Sequence, residues 1–361
     1  ELPFESNSTA GMFCIQLHAL RSGGKFLGGC YTAAVPENKI RPIKIGLDIC
    51  TFKREKFVAA NVRNLQHELA DPASPLRGRL EVFISDNAQT LPPDLGDPQF
   101  VHIFKNKNVG GAGGFTRGMI EIIRDGNPRG ITHALLMDDD IVFSPEVIVR
   151  TLTVLSLLKE EYAHAFVGGA MLRLDEQNVQ VESGAVWDTG KIVSLKSGLD
   201  LRDLDACLYN ELEETADYNA WWYCAVPIGN IRADNLPLPI FIRGDDVEYG
   251  LRNTKRLILM NGICVWHEPF ENKYSSSLFY YIFRNRLIDN AVRGIKYKRR
   301  EFLRELRRQV MAEILCMRYV NAYLLIRGVK DFLLGVDWLK AQDGEALHRD
   351  ILNMSYKLKY V

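Results

Sequence analysis

Three adjacent carboxylates at the end of an apolar run are the strongest chemical signal in the sequence. They lie in residues 135–141, LLMDDDI. Like charges at this spacing repel one another unless a cation lies among them. Carboxylate oxygens on a short turn suit Mn²⁺ or Mg²⁺, and such an ion can neutralise a departing diphosphate. We therefore predict that Asp138 and Asp140 bind a metal and that Asp139 turns away. The alternative is an acidic loop that caps the helix after Ser144.

A glycine-rich segment lies upstream, at residues 108–118, NVGGAGGFTRG. Glycines allow backbone N–H groups to approach a phosphate closely, as in dinucleotide-binding turns. The segment nearly fits the Gly-x-Gly-x-x-Gly fingerprint. However, it follows the third predicted strand of its region instead of the first, and no separate acidic residue closes a βαβ unit about twenty positions later. We therefore do not expect a nicotinamide enzyme.

A second carboxylate pair, Asp245 and Asp246, lies between an apolar run and a helix predicted over residues 246–256. A helix N-terminus favours the ionised form of a carboxylate. One of the two could accept a proton from an incoming hydroxyl, while the other caps the helix or contacts sugar hydroxyls. A pair that only caps the helix is the alternative.

A histidine and an aromatic cluster complete the candidate groups. His267 follows the apolar run 263–266. A lone histidine there is more often structural, but beside the acidic triplet its imidazole would complete a Mn²⁺ site. The rings of Trp221 and Trp222 could lie under a sugar, although core packing is equally open.

The elements that would position these groups alternate between strand and helix. Apolar runs predict strands over residues 43–50, 80–85, 101–104 and 132–137, with helices over 55–69 and from near Gly113. This order predicts an α/β fold whose mostly parallel sheet binds its ligand at the carboxyl ends of the strands. Thr51, Asp86, Asn108 and the acidic triplet should gather at that edge.

Two flanking regions and one insertion complete the predicted organisation. Short strands at residues 12–17 and 25–27 predict a β-rich segment over 1–40, the remnant of a β-sandwich. The catalytic domain is expected over 41–275 and a helical region over 276–361. Residues 163–219 mix short strands with a polar loop over 191–217, which could form a lid or an acceptor-side insertion.

One predicted helix in the last region is strongly basic. Apolar Leu303, Leu306, Val310, Ile314 and Leu315 recur at helical spacing beneath its charges. A solvated face on a packed helix and docking against an anionic membrane both remain open. The basic residues are Lys296, Lys298, Arg299, Arg300, Arg304, Arg307 and Arg308.

Composition excludes several classes of protein. Among 361 residues, 45 Lys and Arg balance 45 Asp and Glu, so we expect no nucleic-acid partner. No uninterrupted apolar run is long enough to span a membrane, and the N-terminus does not read as a signal peptide. The seven scattered cysteines fit reduced thiols in a cytoplasmic protein. Because the chain opens at Glu1 instead of Met, the sequence leaves open whether an N-terminal part is missing.

Together the motifs resemble those of inverting glycosyltransferases of family 2 with the GT-A fold, and most closely the bacterial galactofuranosyltransferases. The resemblance covers roughly residues 40–290 and rests on the segments 108–118, 137–141, 221–222, 241–252 and 266–268. It implies a UDP-galactofuranose donor and a β-linked product in a cell-surface glycan. It departs from related polymerases at Gly244, where they carry a bulky aromatic residue.

The resemblance also implies a role for individual residues. Asp246 would be the general base, with Asp245 beside the acceptor or sugar. Asp138, Asp140 and His267 would bind Mn²⁺ or Mg²⁺. Donor contacts would come from Thr51, Phe52, Arg54, Asp86, Asn108, Gly110, Arg117 and Asp139, and acceptor contacts from Trp221, Trp222 and Glu182.

The hypothesis is a single in-line displacement on a glycan or lipid-linked glycan acceptor. It leaves open a homo-oligomer and peripheral contact with the inner face of the cell membrane. Two alternatives remain. One is a GT-A transferase that uses another UDP- or dTDP-hexose for surface polysaccharide synthesis, and the other is a non-catalytic glycan-binding protein.

Overall fold

The computed structural model describes residues 16–29, 32, 34–269, 275–296 and 298–356. The strands are β1 (Ile45–Thr51), β2 (Leu80–Asp86), β3 (Val101–Lys105), β4 (His133–Asp138), β5 (Phe166–Arg173), β6 (Val179–Glu182), β7 (Ala185–Asp188), β8 (Lys191–Ser194), β9 (Leu199–Asp200), β10 (Cys224–Pro227) and β11 (Leu257–His267). The helices are α1 (Glu55–Ala70), α2 (Gly110–Ile123), α3 (Glu146–Leu157), α4 (Leu204–Asn210), α5 (Asp245–Asn253), α6 (Leu278–Val292), α7 (Arg299–Leu315), α8 (Tyr319–Leu333), α9 (Gly335–Ala341) and α10 (Gly344–Met354).

One large sheet organises the chain. Its strands lie in the order β3-β2-β1-β4-β10-β5-β6-β9, and β11 pairs with β5. The first four strands are parallel, β10 is antiparallel to both of its neighbours, and β11 is parallel to β5. This mostly parallel sheet with helices on its faces confirms the α/β class expected from the sequence.

The apolar runs form buried strands because helices cover both faces of the sheet. Val62 of α1 and Leu152 of α3 pack with Leu47 on one face. Phe115 and Met119 of α2 belong to a cluster on the other face. Alternate residues of β4 join the two clusters, as the two-residue period of a strand requires.

The strand register brings the predicted polar residues to one edge. Thr51 is the register partner of Asp86, and Cys50 is that of Asp138. The carboxyl ends of β1, β2 and β4 therefore meet where the sequence analysis expected the ligand crevice.

The remaining regions agree only partly with the predictions. Residues from Leu278 onward are helical as expected, and the polar loop predicted over 191–217 contains β8, β9 and α4. Across the described residues 16–29 no strand forms, so the strand predicted at 25–27 was wrong. The strand predicted at 12–17 lies mostly outside the described residues.

The C-terminal helices pack on α6. Phe302, Leu306 and Val310 of α7 join a cluster with Phe283 and Leu325. Leu303 and Leu315, predicted to lie beneath the charges of α7, are instead 49% and 76% exposed. Within the described residues, we find no helix that is both long and apolar enough to cross a membrane.

Candidate active site

Two strand ends bring three possible metal ligands together. Asp138 ends β4 and His267 ends β11, and paired backbone hydrogen bonds between Val142 and Trp266, of 2.8 and 2.9 Å, join the two ends. Ligand atoms of Asp138, Asp140 and His267 all lie within 4.8 Å of one another. His267 Nδ1 donates to the Glu268 carbonyl at 2.6 Å, and Nε2 lies 3.2 Å from Asp140 Oδ1; in the neutral ring Nε2 would offer its lone pair to a metal. Two carboxylates and one imidazole fit a divalent cation such as Mn²⁺ or Mg²⁺.

Asp139 lies outside this group of three and stabilises the turn. Its carboxylate accepts hydrogen bonds from Thr51 Oγ1 at 2.7 Å and from Arg54 Nη1 at 3.3 Å. Arg54 also pairs with Asp140. Asn61, in the middle of α1, donates to the carbonyls of Asp139 and Ile141 at 3.3 and 3.2 Å. The triplet is therefore held from β1, from Arg54 and from α1, and Asp139 takes most of these contacts.

Burial makes the ionised triplet costly without a cation. Desolvation, and then the charge of Asp140, raise the pKa of Asp138 to about 7. Desolvation likewise raises the pKa of Asp139 to about 6, against the opposing effect of Thr51. A divalent cation would favour the ionised forms and is the natural counter-charge for this cluster.

A cavity of about 380 Å³ opens beside the triplet, and we call it the donor-side cavity. Phe52, Arg54, Asn108 and Gly110 line it, together with all three aspartates and His267, and their role as donor contacts stays a prediction. The remaining lining residues are Cys50, Asn87, Gly111, Phe241, Ile242 and His348.

Three predicted donor residues lie off this cavity. Thr51 binds Asp139 instead. The Asp86 oxygens accept hydrogen bonds from the backbone N–H groups of Ala88 and Leu91 at 3.1 and 2.8 Å. Arg117 Nε donates to Glu121 at 2.7 Å. Their assignment as donor contacts stays a prediction.

A strained segment precedes the second carboxylate pair. Phe241, Arg243 and Gly244 have φ values of 75°, 66° and 90°. Left-handed conformations cost about 1 to 3 kcal/mol each for residues other than glycine, so neighbouring contacts must hold the segment. Arg284 donates to the Ile240 carbonyl at 2.6 Å. Asn285 donates to the carbonyls of Ile242 and Arg243 at 2.8 and 2.6 Å.

The environment separates the roles of the two carboxylates. Desolvation raises the pKa of Asp246 to about 6, while the Val247 N–H, 2.9 Å from Oδ1, favours the ionised form. Desolvation, and then the charge of Asp246, raise the pKa of Asp245 well above its usual value. Desolvation, and then the charge of Asp246, also raise the pKa of buried Asp289, which lies near Gly244. Asp246 is therefore the carboxylate best suited to accept a proton near neutral pH.

A second cavity of about 400 Å³, which we call the acceptor-side cavity, opens beside Asp245 and Asp246. Trp221, Trp222 and Glu182 line it, and their role as acceptor contacts stays a prediction. The tryptophans are only 4% and 6% exposed, so they pack in the core and also face the cavity. Desolvation raises the pKa of Glu182 to about 7, and the Ser194 hydroxyl donates to it.

The two cavities meet at the candidate metal group. Asp138, Gly111 and Ile242 line both. A molecule in one cavity could therefore reach a molecule in the other beside Asp138. This arrangement allows a group to pass between two bound substrates.

Sequence reasoning missed several residues of the site. Asn87 donates to the Gly110 carbonyl at 2.9 Å and could have been found, because it follows the end of β2. Asn61 and Asn285 lie inside helices and act on backbone carbonyls, which leaves no signal in the sequence. His348 comes from α10, about two hundred residues after the acidic triplet.

Comparison with known proteins gives two close matches among curated sequences. The chain is 29% identical over 335 residues to the galactofuranosyltransferase GlfT2 of Mycobacterium tuberculosis, covering 85% of this chain and 50% of that protein. It is 28% identical over 264 residues to GlfT2 of Mycolicibacterium smegmatis, covering 67% and 38%. The chain thus spans about half the length of the relatives it matches, or less. These matches confirm the resemblance to galactofuranosyltransferases.

Other comparisons add less. No family model matches the chain. Among solved structures, a mannosyltransferase from Pyrobaculum calidifontis, in complex with GDP-Man and Mn²⁺, is 11% identical, with a TM-score of 0.42 over 88% of this chain and 85% of that one.

Proposed function

We propose that the protein is a metal-dependent inverting glycosyltransferase that moves galactofuranose from UDP-galactofuranose to a glycan hydroxyl and forms a β-linkage. The observation that carries this proposal is the junction of two cavities at Asp138. One is lined by a possible metal group, and the other by the general-base candidate Asp246 and two tryptophans. The similarity to two galactofuranosyltransferases supports the choice of donor.

The proposed reaction is one in-line displacement. Asp246 takes the proton of an acceptor hydroxyl whose sugar ring rests on Trp221 or Trp222. The oxygen attacks the anomeric carbon from the face opposite UDP, and the bond from that carbon to the diphosphate oxygen breaks. UDP leaves with the electron pair, and the single attack inverts the anomeric configuration.

The charged residues would assist departure of the diphosphate. A divalent cation bound by Asp138, Asp140 and His267 would offset the negative charge that grows on the leaving group. Arg54 holds Asp139 and Asp140 in position. Burial, and then the charge of Asp246, raise the pKa of Asp245 and so favour its protonated form, which could donate a hydrogen bond to a sugar hydroxyl.

UDP release from a panel of nucleotide sugars tests the proposal. The panel contains UDP-galactofuranose, UDP-galactopyranose, UDP-glucose and a dTDP-hexose, each with a short galactofuranosyl acceptor and with Mn²⁺, Mg²⁺ or chelator. We expect turnover with UDP-galactofuranose that stops in chelator. Turnover only with a pyranose or dTDP donor would contradict the sugar assignment. Binding of the acceptor without turnover of any donor would instead indicate a glycan-binding protein.

Contact with a membrane is a further part of the proposal. A lipid-linked acceptor would require the enzyme to work at the cytoplasmic face of the membrane. The exposed basic face of α7 supports this, because exposed Leu303 and Leu315 accompany its arginines. Basic and apolar side chains together suit an anionic lipid surface.

A further inference from the structure

The last described helix reaches the donor-side cavity. Asp343 caps α10 by accepting hydrogen bonds from the N–H groups of Glu345 and Ala346 at 3.1 and 3.2 Å. Lys107, next to the glycine-rich segment, lies 3.7 Å from Asp343. Gly344 lies against Phe241, since a Cβ there would be 3.3 Å from the ring. These contacts bring His348, one turn further along α10, to the wall of the cavity.

The ring of His348 is held in one orientation. It stacks on Phe241 with centroids 4.4 Å apart and an interplanar angle of 28°. Its Nδ1 lies 2.9 Å from the hydroxyl of Tyr281, which is fully buried. Phe241 is fixed in turn, because its carbonyl accepts the Ala112 N–H at 3.1 Å.

The same contacts determine which ring nitrogen can serve a ligand. Burial raises the pKa of the Tyr281 phenol, so the hydroxyl keeps its proton and can donate it to Nδ1. Burial also lowers the pKa of His348, which favours the neutral ring. In that tautomer the hydrogen is on Nε2, for which the described part of the chain provides no partner.

Two other side-chain donors on the cavity wall, Arg54 and Asn87, already have partners. Arg54 pairs with Asp139 and Asp140, and Asn87 donates to the Gly110 carbonyl. The three aspartates can only accept hydrogen bonds when ionised. A diphosphate or a sugar hydroxyl presents oxygen acceptors, so an additional N–H donor suits this wall.

We propose that His348 is a specificity-determining residue of the donor site and that its Nε2–H donates to an oxygen of the β-phosphate or of the sugar of the bound nucleotide sugar. The inference rests on the proposed function. It also means that the C-terminal helical region completes the donor site instead of only packing behind it.

Binding of UMP, UDP and UDP-galactofuranose to the full chain, measured with Mn²⁺ present, tests the contact. In His348→Phe the stacking on Phe241 is kept and the N–H is lost. We expect UDP-galactofuranose to bind about tenfold more weakly, the worth of one uncharged hydrogen bond, and UMP to bind as before. His348→Gln, which can restore an N–H, should recover part of the loss. Arg349→Ala, on the exposed side of the same helix, should bind like wild type.

The three ligands show whether the oxygen that accepts the hydrogen bond from His348 belongs to the β-phosphate or to the sugar. If His348→Phe binds both UDP and UDP-galactofuranose more weakly, the acceptor is the β-phosphate. If it binds only UDP-galactofuranose more weakly, the acceptor is the sugar. Wild-type affinity in His348→Phe would overturn the inference even if His348→Ala were impaired, because stacking alone would then explain the effect. An equal loss with UMP would also overturn it. Failure of the wild type to bind any of the three would instead count against the proposed function.

Discussion

At the scale of single residues, the proposed chemistry depends first on the protonation state of Asp246. Burial raises its pKa to about 6, so the carboxylate is ionised above that pH and protonated below it. A general base works only in the ionised form. We therefore expect kcat/KM for the acceptor, measured as UDP release with Mn²⁺ present, to be constant above about pH 7, half-maximal at about pH 6, and to fall tenfold per unit at lower pH.

Replacement of the same residue separates chemistry from binding. Asp246→Asn should lower kcat by about 10² to 10⁴, because a positioned general base contributes that much, and should leave UDP affinity nearly unchanged. Asp234→Asn, at an exposed loop position, is the matched control and should keep wild-type activity. Full transfer activity in Asp246→Asn would show that another group removes the proton.

Asp140 and Asp139 provide a contrast within the acidic triplet. Asp140→Asn removes a charge from the possible metal group, so we expect weaker Mn²⁺ binding and loss of metal-dependent UDP binding in calorimetry. Asp139→Asn removes a charge outside that group and should keep Mn²⁺ affinity closer to wild type. The metal assignment would be contradicted if the two variants bound Mn²⁺ with equal affinity.

At the scale of elements, the start of α2 and the strained segment before α5 fit together at Gly110. Gly110 has a φ of 69°, and a Cβ there would lie 2.0 Å from the Phe241 carbonyl oxygen. Gly130 has a φ of 67°, but the space around it is open within 4 Å. The two glycines therefore share a backbone conformation, but only Gly110 lies close to another part of the backbone, at Phe241.

Alanine substitutions at these two glycines separate strain from the clash. Gly130→Ala should lower the free energy of unfolding by about 1 to 2 kcal/mol, the cost of a left-handed residue with a Cβ. Gly110→Ala should lower the free energy of unfolding by about 1 to 3 kcal/mol more than Gly130→Ala does, through overpacking, and it should also weaken UDP binding. Urea denaturation and calorimetry measure the two effects. Equal destabilisation in both variants would contradict the role of the close approach.

Which elements the sequence predicts depends on how local their cause is. The strands β1 to β4 and the helix α1 were expected within about two residues of their observed bounds, since apolar runs and turn residues mark them locally. The strand pattern alone left His267 open, and its grouping with Asp138 and Asp140 was implied by the family resemblance. The left-handed segment at Phe241 and the contacts of Asn285 were not predictable, because they depend on α6 packing against a distant loop.

At the scale of the whole molecule, the sheet and the C-terminal helices both contribute to the donor-side cavity. The predicted boundary at about residue 275, between the catalytic domain and the helical region, stays a prediction. Arg284 and Asn285 of α6 hold the segment before Asp245, and His348 of α10 lines the cavity. The helical region therefore supports the site directly, and it also includes the basic face of α7 that we propose as a membrane contact.

Membrane contact through α7 predicts binding that depends on its charges. Each basic side chain near an anionic bilayer contributes about 1 kcal/mol, and exposed Leu303, Met311 and Leu315 add apolar area. Charge reversal to Glu at Arg299, Arg300, Arg307 and Arg308 should abolish flotation with liposomes that contain anionic lipid. UDP binding should remain, because these side chains are exposed on α7 and none lines either cavity of the site.

A control with the same change in net charge shows whether position matters. Reversal at Lys39, Lys56, Arg63 and Arg77, all exposed and outside the C-terminal helices, should leave flotation intact. Equal loss in both variants would mean that only the total charge acts. If the α7 reversal left flotation unchanged, α7 would not be the membrane contact, and its basic face would be a solvated face. The reason is that an electrostatic attachment cannot survive a change of eight charges on its own surface.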